Sequence, residues 1–518
     1  MGVVYALLAV TALYAVAVSA QGYDWGWEEP ECVVNEPVPG PVNTGMHLIT
    51  TEKGANHFLT AMMQLVEQYF WMIPFPDVEE TLDLLVTKVH MSISAIDPSS
   101  VDVGTETVTL QEGEATIALD GLSFSYSFDW EYDEIGWPYI HDGGTGTVTV
   151  SDVSASGALD FGLDTKCSSV TAEISDFSMD LAGKIKVHLD GGASALYNVV
   201  LNTLLDVLDS VFTALFEDNV ADIVSLAIDE QFASMTDFIH TDMYGDYVTD
   251  FRLTDTPLVY DTYLELFMHG WEYPLDTYDA PLEDVPQFPD TILQKDMQVS
   301  LSRHAINRTF TVHIADNLFT GTVKPSNLSN PSLGVLLTTE YYQAIMPNLY
   351  AKYPDRSLSA TLTATGDSDT EVLPSGLLVT AAVSVTVSVL SEGGEEIAEA
   401  SVVSMSGTLG MACQVSISMA NHWQIATSGW SPYNWTFTLD NSKYDQFDPN
   451  NYMLMSSYAA LEQYGVAPFM EYRSHYDAIN LPMYSRCVGF NEDTTIVRYQ
   501  DDAALIGFDV QKVPYPDC

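Results

Sequence analysis

Basic residues are scarce in this chain. Its 518 residues hold 17 Lys and Arg against 72 Asp and Glu, a formal net charge of −55. A surface of that sign repels phosphate backbones and anionic membranes, which argues against nucleic acid as a partner. It suits a salty or calcium-rich medium, where screening limits self-repulsion, and it leaves a protein partner at the acidic surface open. Cysteine is scarce too: Cys32, Cys167, Cys413, Cys487 and Cys518 stand far apart. They serve as accessory staples and not as a disulfide framework, and an odd number leaves one over. Beyond the first twenty residues there is no uncharged apolar run of eighteen or more, so the mature chain is not expected to be an integral membrane protein. Catalytic signatures are missing as well, with no Gly-x-Ser-x-Gly elbow and no His-Glu-x-x-His. The Asp-rich loop DNSKYDQFDPNN lacks EF-hand spacing. No enzyme, catalytic residue, cofactor or metal site is expected.

What is present begins with MGVVYALLAVTALYAVAVSA. Residues 1–20 read as a secretory signal peptide cleaved near Ala20, although the basic n-region is absent, and they predict a secreted, extracellular or cell-surface protein. Residues 21–45, rich in Pro and Gly, read as an extended leader. Glycan-acceptor triplets stand at Asn307, Asn327 and Asn434. Aromatic and β-branched residues stay frequent between the carboxylates, which argues for a folded chain.

Hydrophobic periodicity divides the remainder. GANHFLTAMMQLVEQYFWM puts Phe58, Met62, Leu65, Val66, Tyr69 and Phe70 at helical spacing, ending before Pro74. From about 88 to 190 the period becomes two, in TETVTL, EATIAL, LSFSYSF, GTVTVSDV, ALDFGL, VTAEISDF and KIKVHL. These predict an antiparallel sheet with one dry face. Between about 193 and 240, Val200, Leu204, Leu208, Val211 and Leu215 recur at helical steps and predict a long helix to cover that face. A strand, YDTYLELFMHG, and a Pro-rich acidic stretch follow. The second half repeats the plan. MQVSLS and TFTVHI read as strands, GVLLTTEYYQAIMPNLYAKY as a helix, and LSATLTAT, LLVTAAVSVTVSVL, AEASVVSMS and QVSISM as strands. YMLMSSYAALEQYGVAPFM reads as a helix and AALIGFDVQKV as a closing strand. The expected domains are 46–275 and 293–518, joined by a linker at 276–292.

In this order, LITTEKGANHFLTAMM, TKCSSVTAEISDFSMDLAGKIKVHLDGGASALYNVV, RLTDTPLVYDTYLELFMHGWEY, MQVSLSRHAINRTFTVHIADNLF, EYYQAIMPNLYAKYPDRSLSATLTATGDSDTEVLPSGLLVTAAVSVTVSVL and ALIGFDVQKV span about 46–513. Together they resemble the family of bactericidal/permeability-increasing protein, lipopolysaccharide-binding protein and the lipid-transfer proteins. The resemblance implies an α+β fold: an elongated two-domain boomerang, each domain a highly twisted antiparallel sheet wrapped around a long helix, joined by a central sheet. It also implies an apolar pocket in each domain, holding phospholipid or another acyl lipid. Lining candidates are Phe58, Met62, Val66, Val200, Leu204, Leu208 and Val211 in the first domain and Tyr342, Ile345 and Leu349 in the second. Two departures stand out. The family's partner cysteine for Cys167 is missing from FEDNVADIVSLAIDEQF, and the loop EYDEIGWPYIHDGG carries acids where endotoxin binders need lysines. The alternative function is an acidic, glycosylated structural or interaction protein of an extracellular assembly that keeps the same fold.

Overall fold

A computed structural model describes residues 44–70, 77–83, 88–135, 139, 141–164, 168–181, 183–191, 225, 229, 237–241, 246–274, 288–315, 317, 319–419, 423–474, 479–481 and 488–512. The signal peptide, the leader, most of the long helix and most of the linker read from the sequence lie outside these residues.

Strand Glu114–Glu134 shows how composition sets the first sheet. Phe124, Tyr126, Phe128, Trp130 and Tyr132 are buried on one face, while Ser125, Ser127, Asp129, Glu131 and Asp133 alternate on the other, the period-two pattern of a half-buried strand. EATIAL and LSFSYSF, separate runs in the sequence, are one strand here. Its register slips between Asp120 and Phe124, where Gly121 takes φ +82°, a conformation open to glycine that lets a bulge bend the ladder without ending it. GTVTVSDV and ALDFGL likewise merge into His141–Leu163. The sheet runs Val78–Asp83, Lys88–Asp102, Glu114–Glu134, His141–Leu163 and Val170–Met179, with Thr105–Gln111 and Ile185–Gly191 attached to the two long strands.

Side chains from helices close two of its edges. Helix α1 (Glu52–Phe70) buries Leu59 and Met63, one turn apart, in the first-half core. Its Asn56 acts as a substitute strand partner: Nδ2 donates to Val108 O at 2.9 Å and Oδ1 accepts from Val108 N at 2.8 Å. On the far edge, Ser225 Oγ accepts from Ile174 N at 3.0 Å and Asp229 Oδ1 from Ala172 N at 2.6 Å. Ser225 and Asp229 are helical and fall within the predicted long helix, whose other residues lie outside the described set. An edge satisfied in this way cannot recruit a foreign strand.

A central sheet takes strands from both halves. Met46–Thr51 pairs with Tyr263–Met268 on one side and Met297–Ser302 on the other, and Ala503–Phe508, Ile496–Gln500 and Leu258–Val259 complete it. Met297–Ser302 is buried on both faces, so its polar face needs internal partners. Gln298 supplies them, with Nε2 donating to Thr291 O and Ser300 Oγ and Oε1 accepting from Leu293 N.

Beside this sheet lies a buried charge cluster. Arg252 clasps Asp250 at 3.0 and 2.7 Å, His269 Nδ1 lies 3.3 Å from Asp250, and Tyr273 Oη is 2.8 Å from His269 Nδ1. Glu272 takes a hydrogen bond from Thr249 at 3.2 Å and meets His313 Nε2 at 3.1 Å.

His313 belongs to helix α2 (Arg303–Ala315), which corrects the sequence reading of TFTVHI as a strand. Phe310, Val312 and Ile314 do alternate, but Ile306, Phe310 and Ile314 also lie four apart and share one buried face. Ser302 settles the matter by capping the helix, its Oγ accepting from Ala305 N at 3.1 Å. The second-half sheet orders Thr320–Val323, Leu358–Leu373, Gly376–Leu390, Glu396–Met419, Trp423–Ser442 and Ile479–Asn480. The helix read at GVLLTTEYYQAIMPNLYAKY is broken into a 3-10 turn at Pro331–Leu337, hydrogen-bonded turns, and the short α3 (Pro347–Lys352). Pro347 cannot extend a preceding helix.

Candidate functional site

Cross-strand rows of the second-half sheet build an apolar floor. Ala360 pairs with Val387 and Val387 with Val403, while Leu362 pairs with Val385 and Val385 with Met405. Gly407 leaves room for the neighbouring ring, since a Cβ there would stand 2.7 Å from Phe437 Cδ1. The roof comes from Tyr342 and Met346 and from α4 (Tyr452–Leu461), which contributes Leu454, Tyr458 and Leu461. Floor and roof leave a slot of about 100 Å³ between them. Ala360, Leu362 and Val387 are half-buried although they face inward, because the slot takes the place of a packing partner.

Among the described residues, no lining side chain of the slot is charged. Burial pushes the Tyr342 and Tyr458 hydroxyls well above the ordinary phenol range, so both stay neutral at any physiological pH. Tyr458 Oη reaches Met405 Sδ at 3.4 Å and Trp435 Nε1 reaches Met455 Sδ at 3.0 Å. Two of the slot's polar atoms are thereby turned to soft sulfur acceptors, while the Tyr342 hydroxyl bonds Ser457.

Val323, Leu362 and Val466 wall both the slot and a wider recess of about 400 Å³. Thr322, Ser326, Asn327 and Ser329 line this mouth beside Phe469 and Met470. One of its sides is a π-helical turn, Glu462–Val466, between α4 and α5 (Ala467–Ser474). Pro468 explains the turn. It has no N–H for Tyr464 O, four residues back, and its ring would crowd that carbonyl. The freed carbonyl instead accepts from Ser329 N at 3.1 Å and Ser329 Oγ at 2.8 Å, which ties the turn to the opposite rim.

The structure brings Tyr342 to the slot. Leu349 is buried in the second-half core and Ile345 packs against that core; neither lines the slot. Phe58 is turned toward the second half, where its ring meets Trp423 edge-on at 6.1 Å. Met62 and Val66 lie on α1 but their side chains are outside the described set, as are Val200, Leu204, Leu208 and Val211 altogether. The sheet residues of the floor were not singled out from the sequence. Their alternation was visible in LSATLTAT and VSVTVSVL, but alternation marks a buried face whether it meets side chains or a cavity.

Asn327 and Asn434 are exposed. Asn307 is half-buried on α2, its Oδ1 accepting from Ser368 Oγ at 2.9 Å and Thr370 Oγ1 at 3.2 Å. Cys413 is buried and unpaired. The other four cysteines lie outside the described residues. Glu131, Asp133 and His141 place metal-capable atoms within 4.8 Å of one another. All three are exposed, and the 2.7 Å contact of His141 Nδ1 with Asp133 accounts for the convergence. Among the described residues, no helix is long and apolar enough to cross a membrane.

BPI fold-containing family C protein of Homo sapiens is 21% identical over 297 residues, covering 55% of this chain and 56% of that protein, so the chain spans little more than half of that relative's length. The crystal structure of lipopolysaccharide binding protein superposes with a TM-score of 0.52 at 16% identity, over 92% of this chain and 100% of that one. At that identity the likeness is one of fold: twisted antiparallel sheets with helices packed on them. Residues 241–454 match the LBP / BPI / CETP family, C-terminal domain, and this region is homologous to that domain.

Proposed function

We propose that this chain is a secreted lipid-binding or lipid-transfer protein that holds acyl lipids in its apolar interior. The observation that carries the reading is the apolar slot beneath α4, which shares Val323, Leu362 and Val466 with a wider, partly polar recess. Homology to a family with a lipid-binding fold supports it. The mechanism is passive. An acyl chain leaves water for the slot, gaining about 0.8 kcal/mol per buried methylene, while its polar end stays with the hydroxyl and amide groups of the mouth. Signal cleavage near Ala20 delivers the protein outside the cell, and two similar domains make a second site in the first half part of the proposal.

The test is uptake of labelled lipid from vesicles, comparing the full chain with Ala360→Leu, which adds bulk to the slot floor. Saturable uptake that the substitution reduces supports carriage. Equal uptake by both proteins places the lipid elsewhere, and no uptake by either rejects the reading.

One observation favours a second reading. The slot's volume of about 100 Å³ falls below the roughly 300–1,000 Å³ of ordinary ligand pockets, as expected of a structural protein that kept the fold and works through its acidic surface. A lipid-free chain that assembles with an extracellular partner would establish that alternative.

A further inference from the structure

Three features of the second-half interior bear on which lipid it takes. The first is size: a slot of about 100 Å³ lies below the roughly 300–1,000 Å³ of ordinary ligand pockets and is more restrictive for a two-chain than for a single-chain lipid. The second is charge. Among the described residues, none of the side chains lining slot or mouth is ionisable as an acid or a base near neutral pH. A phosphate or carboxylate drawn inside would lose its hydration with no cation to replace it. Lys324 and Glu471, the charges nearest in sequence to the mouth, are not among the lining residues.

The third feature is an unmatched donor. Trp430 lines an inner recess that shares Leu362, Leu409 and Val466 with the slot. Trp430 is 7% exposed, and its indole Nε1–H has no hydrogen-bond partner among the described residues. A buried donor left unpaired is costly, and an oxygen on a ligand would satisfy it.

Resting on the lipid-carrier reading, we propose that this site selects an uncharged, single-chain lipid with an oxygen acceptor, of the monoacylglycerol kind. The lipid passes through the mouth between Pro325–Asn327 and the π turn, and its oxygen accepts from Trp430 Nε1–H. Gly465 keeps the neck open, because a Cβ there would stand 3.0 Å from Val323 Cγ1.

The test is displacement of a fluorescent monoacylglycerol from the full chain at neutral pH by monoolein, oleate, oleoyl lysophosphatidylcholine and dioleoylphosphatidylcholine. Monoolein is expected to compete better than each of the others by about tenfold or more. Trp430→Phe is expected to weaken monoolein by about fivefold without lowering the unfolding midpoint of the lipid-free protein. Gly465→Val is expected to abolish uptake while circular dichroism stays unchanged. Equal or stronger competition by oleate or either phospholipid overturns the selectivity, and unchanged affinity in Trp430→Phe overturns the indole's role. If lipids bind but are not selected in this way, only this inference fails. If no lipid of any class binds, the carrier reading fails with it.

Discussion

Asp250 keeps its charge with almost no water in reach, at 1% exposure. Burial alone would raise its pKa, but hydrogen bonds from His269 and Arg252 outweigh burial and hold it below the ordinary 3.8. A carboxylate with a depressed folded pKa adds stability that is present above its unfolded value and lost as pH falls through the folded one. The urea midpoint of unfolding is therefore expected to hold toward neutral pH and to fall below about pH 4. Asp250→Asn is expected to cost about 3–5 kcal/mol, because it leaves Arg252 buried without its counter-charge, and to flatten that acid limb. A substitution that changes neither would remove the cluster from the account of stability. Cys413 gives a second residue-scale prediction. Burial, then the charge of Glu471, pushes its thiol up from the usual 9.0, so there is little nucleophilic thiolate. Alkylation followed by peptide mapping should modify Cys413 only after unfolding. Glycopeptide mapping should find sugar at exposed Asn434 and none at Asn307, whose amide carbonyl is already bound to strand Leu358–Leu373.

Among the elements, α1 was legible because its apolar spacing is sustained over five turns, whereas α2 was not. The six residues of TFTVHI alternate as well as any strand, and only Ser302 as a cap and Ile306 one turn earlier reveal the helix. The long strands were read in pieces for a related reason: Gly121 and its neighbours look like a turn, and only pairing with His141–Leu163 shows a bulge. Strand Trp423–Ser442 was missed because Gly429, Pro432 and Asn434 interrupt its pattern. The slot was legible only through Tyr342, since a cavity is a property of facing surfaces and not of a spacing. Trp423 links the elements across the halves, meeting Phe58 of α1, Phe490 and Phe508 with ring centroids 6.1, 5.5 and 5.3 Å away. Trp423→Ala is expected to destabilise by about 3–5 kcal/mol in urea denaturation. A loss well under 1 kcal/mol would mean that α1 docks by other contacts.

For the whole molecule, a net charge of −55 works against compactness through self-repulsion. Its unfolding temperature should rise from low salt to physiological salt, where the Debye length shortens to about 8 Å, and an unchanged temperature would show that paired acids already absorb the repulsion. In the proposed carrier the acidic exterior faces solvent and the apolar slot takes the lipid. Native mass spectrometry of the full chain secreted by a eukaryotic host, followed by organic extraction, tests that proposal most directly. The account predicts lipid at integral stoichiometry, displaced from the second half by Ala360→Leu. A chain that is secreted lipid-free and takes up none from vesicles would contradict it.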